Sequence, residues 1–120
     1  HLIVRNSRLY EALGGRMIYF GSADGRVNLL YPFMGNVLVG STDIPVRDPE
    51  LAVCDDAERQ YLLNVTREVF PDIEIRSNEV IMTYCGVRPL PRSEGIAAGA
   101  ISRDHSIERD LIPKTETPVL

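Results

Sequence analysis

Apolar and polar positions alternate with period two in several short runs and follow a helical period once, over a longer one. Residues 1–4 (His-Leu-Ile-Val) predict a short strand entering a polar turn at residues 5–8. Residues 17–20 predict a strand that ends in Gly21. The Ala-Asp-Gly inside residues 22–26 is a hairpin signal, and residues 27–32 are its partner strand. Met34-Gly35-Asn36 turns the chain again, into a strand over residues 37–40. Three strands joined by tight turns predict an antiparallel meander.

Residues 41–53 contain Pro45 and Pro49 and read as a loop. Residues 55–70 predict the one long helix. Asp55 is placed to cap it, with Glu58 three residues on as in a capping box. Tyr61, Leu62, Val65 and Val69 share one face at helical spacing, and Pro71 ends the run. Residues 79–87 predict a strand with apolar residues on both faces, hence a central, doubly covered position. Residues 91–95 read as a loop, residues 96–102 and 106–108 as short strands, and residues 118–120 as the start of another. Strands before and after one long helix give an α+β fold: a mainly antiparallel β-sheet with one long helix and short connecting helices. We expect residues 1–120 to form a single domain.

Composition narrows the function classes. The net charge of -4 argues against a dedicated nucleic-acid binder, although a local basic pocket is compatible with it. Cys54 and Cys85 fit no CxxC or Cys/His spacing, so no metal is implied, and each reads as a buried reduced thiol. No apolar run approaches the roughly 18 residues a membrane helix needs. The chain starts with His1 and stops inside an apolar run at Leu120, which suggests that both ends are cut from something longer.

The candidate chemistry lies in two arginines. Thr83-Tyr84-Cys85-Gly86-Val87-Arg88-Pro89-Leu90 is followed by Ile101-Ser102-Arg103-Asp104-His105. Each guanidinium leaves a strand-like run, and two converging forks would hold a phosphate or carboxylate. Pro89 stiffens the backbone just after Arg88. Each has a plainer reading: a salt bridge from Arg88 to Glu79, Asp104 or another acid, and for Arg103 an ion pair with Asp104 or a solvated strand end. Arg92 reads as solvated, and His105 beside Asp104 as a surface pair. His1 could accept a proton near neutrality, although a cloning remnant or a solvated terminus is its plainer reading. Gly40-Ser41-Thr42-Asp43 is a hydroxyl-rich junction, too short to cradle a phosphate alone.

These segments resemble the FAD-dependent (respiratory) glycerol-3-phosphate dehydrogenases. The resemblance rests on Gly40-Ser41-Thr42-Asp43, the helix with Tyr61-Leu62-Leu63-Asn64, the Val87-Arg88-Pro89-Leu90 run and Ser102-Arg103-Asp104. His1-Leu2-Ile3-Val4 is similar to that family's Gly-Ser-His segment. The resemblance implies a substrate-binding, or cap, domain of the D-amino-acid-oxidase-like type, packed on a FAD domain of the same chain. FAD would belong to the full-length enzyme, with none expected on this piece, which would be inactive by itself. His1 then matches an active-site histidine and Arg88 an arginine that faces the substrate near the flavin. Arg103 matches the arginine that grips the phosphate, alongside a lysine expected beyond residue 120. No chemical role attaches to Thr42 or Asp43, and Cys85 reads as packing. The implied reaction oxidises sn-glycerol 3-phosphate to dihydroxyacetone phosphate, with electrons passing to quinone. The implied setting is cytoplasmic, with the parent peripheral on the inner face of the cell membrane. A glycerol-phosphate oxidase, an amine-oxidising flavoenzyme cap and a non-enzymatic anion-binding module are the competing readings.

Overall fold

The computed structural model describes residues 1–91, 93, 95, 96, 100–104, 107, 110, 111, 118 and 119. The chain divides into two compact units, His1–Arg88 and Pro89–Leu120.

The first unit carries a five-stranded sheet and two helices. In chain order these are β1 (Leu2–Val4), α1 (Ser7–Leu13), β2 (Ile18–Gly21), β3 (Val27–Phe33), β4 (Asn36–Gly40), α2 (Asp56–Val69) and β5 (Val80–Thr83). The spatial order is β2-β3-β4-β1-β5, and every neighbouring pair is antiparallel. The expected meander is therefore β2-β3-β4, and the chain start lies against its last strand. Phe33 pairs with Asn36 across a two-residue turn, with Met34 at φ 48° and Gly35 at φ 73°. Positive φ at both positions matches the right-handed twist of the flanking strands.

Both helices cover one face of the sheet. Leu9 and Leu13 of α1 and Leu62 and Leu63 of α2 pack with Leu2, Val4, Leu30, Val37 and Val39. Fully burying one such leucine stabilises the fold by about 1.5–3 kcal/mol. α2 starts as expected: the Asp55 carboxylate accepts from the Glu58 N–H at 2.8 Å, and the Glu58 carboxylate accepts from the Asp55 N–H at 3.4 Å.

Residues 5–8 are not simply a turn, because α1 begins at Ser7. The Asn6 side chain accepts from the Leu9 N–H at 2.9 Å, and Gly14 closes the helix at φ 56°. The Asn6 amide also donates to the Glu74 carbonyl at 3.0 Å and to Glu79 at 3.1 Å. One side chain thus caps α1 and pins the segment that leads into β5.

The strand expected over residues 79–87 is shorter and differently placed. It covers Val80–Thr83 and, among the described residues, pairs with β1 alone, at the edge of the sheet. Ile81 and Met82 are 42% and 57% exposed. Their apolar character is therefore not a mark of double burial within this chain. Cys85 is likewise exposed, while Cys54 is half-buried, and both thiols are free.

In the second unit Asp110–Leu111 (β6) pairs antiparallel with Pro118–Val119 (β7). A strand start near residue 118 agrees with expectation. The strand expected over residues 96–102 does not form at its described positions: Ile96 and Ile101 lie in bends and Ala100 in a 3-10 turn. Ser106 and Glu108, at the ends of the other expected strand, lie outside the described residues, as do Arg92 and His105.

Candidate functional site

Within the first unit, neither helix covers the other face of the sheet. Side chains alternate along a strand, so the register of β1, β4 and β5 puts His1, Ile3, Leu38, Gly40, Met82 and Tyr84 on that face. Ile3, Phe33, Leu38, Met82 and Tyr84 line a hollow of about 320 Å³ on it.

His1 stands at one end of this face. Its main-chain nitrogen donates to the Tyr84 carbonyl at 2.9 Å, and the Tyr84 N–H donates to the His1 carbonyl at 3.0 Å. That pair extends the β1–β5 ladder by one register position and makes the two side chains cross-strand neighbours. The rings stack with centroids 5.1 Å apart and planes 15° from parallel. On the other side the imidazole overlies Gly40. A Cβ built there would stand 2.4 Å from His1 Cδ2 and 2.7 Å from Nε2.

Arg88 follows four residues beyond Tyr84 and is exposed. The salt bridge to Glu79 is not formed: the Glu79 carboxylate accepts instead from the Asn6 amide at 3.1 Å and the Arg76 N–H at 2.7 Å. Arg103 is exposed and belongs to the second unit, where the neighbouring Asp104 N–H donates to the Ser102 hydroxyl at 3.2 Å. The structure thus pairs His1 with Tyr84, four residues before Arg88 in the chain.

Thr42 has a structural partner, as its hydroxyl hydrogen-bonds the Glu58 carboxylate on the first turn of α2. A second hollow, about 180 Å³, opens there beside Arg26, Thr42, Asp55, Glu58 and Tyr61. Its polar groups are committed to one another: Thr42 to Glu58, Glu58 to Asp55, and Tyr61 to Ser22 and Asp24. It is a joint between the loop after β4 and α2. Tyr84 and Gly40 lay inside the quoted motifs without a role. The signal that could have found them is a glycine at a strand end, and an aromatic residue opposite a histidine.

The sequence matches the FAD dependent oxidoreductase family over residues 1–111. The chain belongs to that family. Among its relatives, a glycerol-3-phosphate dehydrogenase of Synechocystis sp. is 36% identical over 83 residues, covering 68% of this chain and 15% of the relative. An aerobic glycerol-3-phosphate dehydrogenase of Bacillus subtilis is 31% identical over 91 residues, 75% of this chain and 16% of the relative. That of Escherichia coli is 32% identical over 87 residues, 71% of this chain and 17% of the relative. The chain thus spans about a sixth of the length of these curated relatives. As a member of this FAD-dependent family it pairs a histidine-bearing sheet face that neither helix covers with a helix-covered one.

Among the described residues, neither α-helix N-terminus fits a seat for the FAD pyrophosphate. Such a seat is made by glycine-rich turns at helix N-termini. Here α2 is capped by Asp55, with Asp56 and Glu58 in its first turn, and these carboxylates repel a phosphate. α1 is a seven-residue helix capped by the Asn6 side chain.

Proposed function

We propose that this chain is the substrate-facing cap of an FAD-dependent dehydrogenase that oxidises sn-glycerol 3-phosphate to dihydroxyacetone phosphate. Quinone is the proposed electron acceptor, and the proposed setting is the inner face of the cell membrane. No helix among the described residues is long and apolar enough to cross a membrane. One observation carries the reading: His1 is held on the sheet face that neither helix covers, beside the segment that leads to Arg88. The relatives' names support the substrate.

In this reading FAD supplies the redox chemistry and is held by residues outside this chain. The neutral imidazole of His1 accepts the proton of the C2 hydroxyl. The Arg88 guanidinium stabilises the negative charge that develops on that oxygen. Arg103 binds the phosphate, alongside a lysine supplied from beyond residue 120.

The test uses the full-length protein loaded with FAD and a quinone analogue as acceptor. Arg103→Ala should raise KM for sn-glycerol 3-phosphate about tenfold or more while leaving any turnover of glycerol, which has no phosphate, unchanged. Oxidation of an amino acid, with none of sn-glycerol 3-phosphate, would overturn the reading in favour of an amine-oxidising enzyme. Oxygen outperforming quinone would identify an oxidase.

A further inference from the structure

Taking His1 as the proton acceptor proposed above, we infer that Gly40 and Tyr84 are positioning residues that hold its imidazole in one pose.

Positive φ does not explain a glycine at position 40. It ends strand β4 and pairs with Leu29, and it is not among the glycines with positive φ. A β-branched residue suits such a position better, and glycine there costs backbone entropy. Space does explain it. The Cδ2–Nε2 edge of His1 occupies the volume that a Cβ would fill, at 2.4 and 2.7 Å. Any larger residue forces the ring off its seat.

Tyr84 supplies the other constraint. It lies just past β5, yet its backbone exchanges both hydrogen bonds with His1. The tyrosine ring therefore stays in register and covers one face of the imidazole at 5.1 Å. Tyr84 is 38% exposed, and its hydroxyl has no hydrogen-bond partner among the described residues. Its contribution to His1 is therefore the ring face. A surface histidine otherwise samples several rotamers. A base must sit within hydrogen-bond reach of the proton it takes, and a 1 Å displacement can cost about 100-fold in rate.

The experiment uses the full-length FAD-loaded protein with sn-glycerol 3-phosphate and an artificial acceptor. Gly40→Ala and Tyr84→Leu should each lower kcat about 10- to 100-fold, with KM within about threefold of wild type and FAD content unchanged. Tyr84→Phe, which keeps the ring, should restore kcat. In a His1→Ala background neither change should cost more than about twofold further, because both act through the imidazole. Losses that multiply in that background would overturn the inference. So would wild-type kcat in Tyr84→Leu and Gly40→Ala when His1→Ala is itself inactive. Full activity of His1→Ala would instead remove the base role of His1. The pose has a readout of its own in the same protein with labelled histidine. The His1 ring resonance should be shifted by the Tyr84 ring current, keep that shift in Tyr84→Phe and lose it in Tyr84→Leu. An unshifted wild-type resonance would overturn the inference whatever the activity.

Discussion

The Tyr61 hydroxyl on α2 accepts a hydrogen bond from the buried Asn28 amide on β3 at 3.2 Å. It also lies 2.9 Å from the Ser22 hydroxyl and donates to the Asp24 carboxylate at 3.3 Å. The Arg26 guanidinium sits over its ring, 5.0 Å from the centroid. A single phenol thus fastens the long helix to the β2–β3 hairpin. Asn28 is 1% exposed, so its amide depends on these partners for what water would otherwise supply.

Tyr61→Phe should therefore destabilise the fold by about 1–2 kcal/mol, the usual cost of leaving a buried amide short of a partner. The ring and its contact with Arg26 remain, so the loss isolates the hydroxyl. Urea unfolding checks it: the midpoint should fall while the slope stays constant. An unchanged midpoint would show that the Ser22 hydroxyl, 3.1 Å from the Asn28 amide, suffices alone.

Asp24 in the same hairpin makes the fold sensitive to acid. The hydrogen bond from Ser22 holds its carboxyl below the ordinary value, helped by the Arg26 backbone and charge. A carboxylate whose folded pKa is depressed adds stability above its unfolded pKa and loses it as pH falls through the folded one. Wild type should thus lose stability over that window, below the ordinary carboxylate range. Asp24→Asn should show a smaller loss over the same window. Unfolding midpoints measured against pH make the comparison, and parallel curves would refute it.

How legible the fold is depends on where each signal lies. Asp55, Glu58 and Pro71 delimit α2 because capping and helix-breaking act within a few residues of chain. The hairpin over Met34 and Gly35 is local for the same reason. α1 is faint, because it has two turns and only Leu9 and Leu13 mark its buried face. β5 misleads: Ile81 and Met82 are apolar, yet this chain leaves them exposed at the sheet edge. Periodicity reports that a face is apolar and says nothing of what covers it. The site is harder still. His1 meets Tyr84 across 83 residues of sequence, and its contact with Gly40 depends on the order β4-β1-β5. Those relations exist only once the sheet is assembled.

The two thiols should react at different rates. The exposed Cys85 donates to the Ala52 carbonyl at 3.2 Å, and Cys54 is half-buried. Burial pushes the Cys54 thiol above its ordinary pKa, so less thiolate is present at any given pH. A chromogenic disulfide reagent should label Cys85 about tenfold faster or more. Cys85→Ser should remove the fast phase and leave the slow one. A single slow phase in wild type would place Cys85 out of reach of the reagent.

The isolated 120-residue chain should not turn over. Its α2 N-terminus carries Asp55, Asp56 and Glu58 where a dinucleotide needs bare N–H groups, so that helix should not seat the pyrophosphate of added FAD. His1 can hold a proton, and Arg88 can face an anion, but neither accepts electrons. Mixing the chain with FAD, sn-glycerol 3-phosphate and a redox dye should give no reduction above a protein-free control. Titrating FAD against the chain should leave flavin fluorescence unchanged. In the proposed arrangement the face with His1 and Tyr84 meets a bound flavin, so the full-length protein should give both signals together. Dye reduction by the 120 residues alone would show that they seat the cofactor themselves, and would overturn the division of labour proposed for the family member described here.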